Sequence, residues 1–129
     1  MVDIKFLPVA SVLNIHKKIL ENTLEDKNLC PDRPIESALN RINDHVFYNN
    51  LEDIYEIAAL YAIAIGKGHC FNNGNKRTAM VSMIVFLLVN NIQILFSNEE
   101  IENKMVDLVE DKLSHLEMAN WIKEKTKHR

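Results

Sequence analysis

A chain of 129 residues, 47% of them hydrophobic, can build one sizeable core but not two ordinary domains, so a single domain spanning 1–129 is expected. Its net charge of −3 and the lack of any long basic stripe argue against direct binding to duplex DNA. With three Gly, three Pro and few alternating β-branched runs, the composition predicts an all-α fold, and the two cysteines, Cys30 and Cys70, have no metal-binding spacing.

The elements follow in chain order. Residues Met1 to Leu7 contain Asp3 and Lys5 where a secretory leader needs a basic start and a long apolar run, so a cytoplasmic location with reduced thiols is expected. Pro8 opens a first helix whose apolar face runs through Val9, Val12, Leu13, Ile19 and Leu20 toward Leu24. Glu25 to Arg33 breaks the pattern. Pro34 restarts a helix with Ile35, Ala38, Leu39 and Ile42 at helical spacing, ending near Asn43-Asp44-His45, with a loop or short hairpin from there to Asn50.

Leu51 to Ile65 reads as a third helix, with Glu52, Asp53 and Glu56 at its positive end and Gly66 and Gly68 stopping it. A near-continuously apolar helix from Asn75 to Val89 follows the loop, and these two helices are expected at the centre of the molecule. Its apolar run, Ala79 to Val89, is too short to span a bilayer, so no membrane association is expected. Ile92 to Phe96 is at most a short extended connection. Ser97 with Glu100, and Ser114 with Glu117, are capping boxes for a helix to about Lys112 and for a last helix that frays into the basic tail of Lys123, Lys125, Lys127 and Arg129.

The chemistry concentrates in His69-Cys70-Phe71-Asn72-Asn73-Gly74-Asn75-Lys76-Arg77-Thr78. From Ile57 to Asn98 there is no Asp or Glu, so an acidic protein keeps negative charge out of one stretch, which favours an anionic ligand. A loop that enters a helix at Gly74-Asn75 presents backbone N–H groups at the positive end of a helix dipole. Lys76 and Arg77 have the wrong sign for a helix start, and both side chains suit phosphate oxygens. His69, ahead of this cradle, is a candidate base for a hydroxyl, although a purely structural histidine fits the residues equally well. Phe71 is expected to pin the loop to the core. A Walker loop and a dinucleotide fingerprint both fail on glycine spacing.

These residues resemble the Fic/Doc family, and within it the Doc ("death on curing") toxins of Phd/Doc toxin–antitoxin modules. His69, Phe71, Gly74, Asn75, Lys76, Arg77, Thr78 and Ala79 match the pattern HxFx(D/N)(A/G)NKRTA. The similarity extends to Ile35-Glu36-Ser37-Ala38-Leu39 and to Ala58-Ala59-Leu60-Tyr61. The resemblance implies a compact helical fold of about six helices with the motif loop between two central ones. It implies His69 as the base, and Asn72, Gly74, Asn75, Lys76 and Arg77 as the phosphate- and nucleotide-binding set. It also implies a target-aligning flap within Asn43 to Asn50. Lys76, where most Fic enzymes have glycine, implies transfer of the γ-phosphate of ATP to a hydroxyl of a translation factor, a threonine of elongation factor Tu, rather than transfer of AMP.

Asn73 stands at the position that usually carries an acid for Mg²⁺, and its amide oxygen can still ligate the ion, though weakly. Val81 stands where the Doc prototype has Asn. AMP transfer and a non-catalytic binding module are the alternative readings. The chain lacks the (S/T)xxxE(G/N) brake of self-inhibited Fic enzymes, so a Phd-like antitoxin is the implied partner and brake.

Overall fold

The computed structural model describes residues 3–21, 35–68 and 74–129. Their architecture is helical: α1 (Val9–Ile19), α2 (Ile35–Tyr48), α3 (Ile54–Gly66), α4 (Asn75–Val89), α5 (Asn98–Val109) and α6 (His115–Glu124), with two three-residue strands, β1 (Ile92–Ile94) and β2 (Thr126–His128).

The apolar sequences of α3 and α4 place them against one another at the centre. α2, α5 and α6 pack on α3, while α1, α5 and β1 pack on α4. Ile57, Ala58, Ala59, Tyr61, Ala62 and Ile65 of α3, and Ala79, Met83, Phe86 and Leu87 of α4, are buried. Small residues let the pair approach closely. A β-carbon on Gly66 would lie 3.3 Å from Met105 Cε and 3.5 Å from both Ala79 and Val109, so α3, α4 and α5 meet closely there and the flexible end of Met105 would have to shift to admit it.

Phe86 anchors the core between Tyr61, at 4.9 Å between ring centroids, and Phe6, at 6.3 Å. Phe6 belongs to an N-terminal strap laid along the central helices. The Leu7 amide donates to the Tyr61 hydroxyl at 3.0 Å. Asn90 grips the strap from the end of α4, accepting from the Lys5 amide and donating to the Lys5 carbonyl, each at 2.9 Å.

Helix boundaries follow cap chemistry. Asp53 accepts from the amides of Tyr55 and Glu56, which starts α3 at Ile54, three residues after the Leu51 start expected from hydropathy. Both capping boxes form, Ser97 with Glu100 and Ser114 with Glu117.

The end of α2 corrects the sequence reading. The helix continues through Asn43-Asp44-His45 to Tyr48, so no hairpin occupies 43–48. Those polar residues are its solvent face. The stop comes at Asn50, whose φ of 48° lets the Leu51 amide reach the Val46 carbonyl at 3.0 Å. α5 ends the same way, with Asp111 at φ 61° and the Lys112 amide on the Asp107 carbonyl at 2.8 Å, so its helical run stops at Val109 rather than Lys112.

The C-terminus is the second correction. It does not fray: Thr126–His128 pairs antiparallel with Ile92–Ile94, in the register Ile92 with His128 and Ile94 with Thr126. The strand is held because Thr126, buried, donates its hydroxyl to the Ile122 carbonyl at 2.7 Å and turns the chain back onto β1. Among the described residues no helix is long and apolar enough to cross a membrane.

Candidate active site

Gly74 is the hinge of the site. It caps α4 with φ 79° and ψ 16°, a left-handed conformation that a residue with a β-carbon adopts only at a cost. A β-carbon there would also crowd Leu20 Cδ2 at 3.3 Å and lie in contact with His16 Cδ2 at 3.6 Å. The C-terminal end of α1 therefore lies directly against the turn into α4.

Asn75, Lys76 and Arg77 form the first turn of α4, and the Thr78 amide is the one that reaches back to the Gly74 carbonyl, at 2.9 Å. The amides of that first turn point off the positive end of the helix. Lys76 and Arg77 are exposed on it, with no acid in the turn. The structure thus brings four expected site residues, Gly74, Asn75, Lys76 and Arg77, into one helix start. His69, Asn72 and Asn73, with Phe71, lie outside the described residues.

Two clefts border the central helices. The larger, of about 400 Å³, runs between α2 and α3 and is lined by Arg41, His45 and Lys67 over an apolar floor that includes Ile42 and Leu60. It ends at Gly68, the residue before His69. The smaller, of about 240 Å³, runs between α4 and α5 and is lined by Lys76, Arg77, Met80, Glu102, Met105 and Val106.

The charge pattern in space differs from that in sequence. Residues 57–98 carry no acid, yet α5 and the turn after it bring acids to their edges. Lys67 forms an ion pair with Asp111, and Glu102 faces the α4–α5 cleft with Lys76 and Arg77. The site is cationic at the helix start and has one carboxylate across from it.

Motif spacing gave no indication of His16, which is 3% exposed on the inner face of α1. The available signal was the stripe Val12, His16, Leu20, whose four-residue steps put a histidine on a buried helix face. Glu102 was likewise unmarked by the motif, since its place beside Lys76 and Arg77 depends on helix packing. One and two turns into α4, the hydroxyls of Thr78 and Ser82 are buried with no hydrogen-bond partner among the described residues. Ser82 lies beyond the motif, in the apolar run.

A family model described as the Fic/DOC family matches residues 6–87, from the strap almost to the end of α4. The chain belongs to the Fic/Doc family. It is 32% identical over 88 residues to the protein named "Protein kinase doc" of Escherichia phage P1, an alignment covering 68% of this chain and 69% of that one.

Proposed function

We propose that this protein is a single-domain toxin of a toxin–antitoxin module that transfers the γ-phosphate of ATP to a hydroxyl of a translation factor, by family resemblance a threonine of elongation factor Tu. The observation that carries this reading is the start of α4. A left-handed Gly74 is followed by Lys76 and Arg77, exposed where a helix dipole would otherwise favour acids. Similarity to a protein named as a kinase supports phosphate as the transferred group.

In this reading the backbone amides of the first turn and the two cations hold the phosphates. His69 takes the proton of the acceptor hydroxyl as its oxygen bonds to the γ-phosphorus. The bond from that phosphorus to the β–γ bridging oxygen breaks, and ADP leaves. The α2–α3 cleft, which ends one residue before His69, is the natural approach for the acceptor segment. Among the described residues no group of three or more His, Cys, Asp or Glu could hold a metal ion. Asn73 would offer an amide oxygen to a Mg²⁺ bound with the phosphates. A Phd-like antitoxin is the partner that restrains the enzyme in the cytoplasm.

The test is incubation with Mg²⁺, elongation factor Tu and ATP labelled at the α or the γ position. Transfer of the γ label, lost in His69→Ala together with growth arrest, is the expected result. Transfer of the α label replaces the reading with AMP transfer, and no transfer of either label to this target rejects the proposed reaction on it.

A further inference from the structure

We propose that the groove between the N-terminal strap and the end of α2 is a docking site for a partner protein, taking an extended segment in which Lys or Arg flanks a bulky apolar residue. The site stands apart from the start of α4 and does not depend on the transfer reaction.

Position is the first argument. The groove, of about 350 Å³, is walled by Ile4 and Phe6 of the strap, by Val46 and Phe47 of α2, and by Leu51 beyond the Asn50 turn. Leu51 precedes α3, whose 13 residues extend about 20 Å by the helical rise before the chain turns back toward Gly74. Both walls are fixed by bonds within the molecule. Asn90 holds the Lys5 amide and carbonyl, and the Leu51 amide donates to the Val46 carbonyl at 3.0 Å. A groove shaped in advance saves a ligand the cost of ordering it.

Exposed aromatic surface is the second. Phe47 is 76% exposed and Tyr48 79%, the highest values among the large hydrophobic side chains of the described residues. Their rings meet edge to face at 5.5 Å between centroids, so Tyr48 extends the apolar lip that Phe47 forms. Neither ring contributes burial to the core, whereas a partner covering both removes a large apolar area from water.

Charge decides the kind of partner. Asp3 and Glu52 line the groove and no cation does. Among the described residues neither carboxylate has an ion-pair or hydrogen-bond partner, in contrast to Asp53, which caps α3. Carboxylates at the rim repel nucleic-acid phosphates and anionic lipid, and they attract a cationic protein segment. Lys or Arg also suits the faces of the two exposed rings. A second copy docked by two-fold symmetry would set the same acids against one another, so the occupant is a different chain.

The experiment is fluorescence anisotropy of the full chain with labelled synthetic peptides built on Lys-Phe-Lys, Glu-Phe-Glu or Lys-Ser-Lys. The Lys-Phe-Lys peptide should bind about tenfold tighter than either of the others, and more weakly as salt is raised. Phe47→Ser, a change at an exposed position, should lower it to the affinity of the Lys-Ser-Lys peptide. The Asp3→Lys, Glu52→Lys double variant should prefer the Glu-Phe-Glu peptide. Binding should be unchanged in His69→Ala, which separates docking from transfer. The proposal is overturned if the natural protein shows no preference among the peptides, if the Phe47 and double variants both bind like it, or if His69→Ala abolishes binding. Sedimentation showing a dimer that Phe47→Ser dissociates would also overturn it, with a second copy as the occupant.

Discussion

Gly74 shows how much a single backbone conformation decides. Its φ of 79° is accessible to glycine at no steric cost, and a β-carbon on the same turn would crowd Leu20 at the end of α1. We expect Gly74→Ala to destabilise the fold by about 1–2 kcal/mol from the left-handed backbone alone, measured by urea denaturation. Crowding against Leu20 should add to this. The turns at Asn50, Asn91 and Asp111 also lie at positive φ, where asparagine and aspartate are the residues that tolerate it with least strain after glycine. With three glycines in the chain, these helix ends are assigned to Asn and Asp, and Gly74 stands at a helix start.

At the scale of the element, α5 and α6 begin with the same device. Ser97 and Ser114 each accept from the amide three residues on, while Glu100 and Glu117 reach back to the serine amides at 2.9 Å. Ser97→Ala and Ser114→Ala should each cost about 1 kcal/mol. Those returning bonds, from the Ser97 and Ser114 amides, hold both carboxyls below the ordinary glutamate value of 4.5. The unfolded chain therefore takes up their protons first as pH falls. Stability from the boxes should be present above the ordinary glutamate range and be lost as pH drops through the lower folded values. A Glu100→Gln, Glu117→Gln double variant should show a shallower loss of melting temperature on acidification, read by circular dichroism. An unchanged acid limb would show that other carboxylates control it.

Across the whole molecule, the strap and the tail connect distant parts of the chain. The Leu7 amide meets Tyr61 across 54 residues of sequence, in a site where burial raises the phenol pKa against the opposing effect of that amide. Tyr61→Phe leaves a buried amide without its acceptor, so a cost of about 1–3 kcal/mol is expected. Faster hydrogen exchange at Leu7 would locate the effect in the strap. Phe96 and Trp121 stack at 5.1 Å, with Lys104 over the indole at 5.7 Å, which ties the exit of β1 to α5 and α6. His115 adds a second tie, its Nε2 lying 2.8 Å from the Glu56 carbonyl of α3.

The sequence by itself determined the helical class, the central pair α3 and α4, both capping boxes and the residues at the start of α4. These depend on local periodicity, side-chain-to-backbone bonds within one turn, and a contiguous motif, all of which are short-range in the chain. It misplaced the end of α2, because Asn43-Asp44-His45 has the polarity of a turn whether it forms a loop or a solvent face, and the left-handed Asn50 decides which. It missed β2, because three residues acquire strand structure only when β1 lies beside them to accept and donate their hydrogen bonds. The tertiary structure alone placed His16 and Leu20 against Gly74, paired Lys67 with Asp111, and set Glu102 across from Lys76 and Arg77. Each of those contacts joins different helices, and the packing angles that bring them together are properties of the whole core rather than of any segment of it.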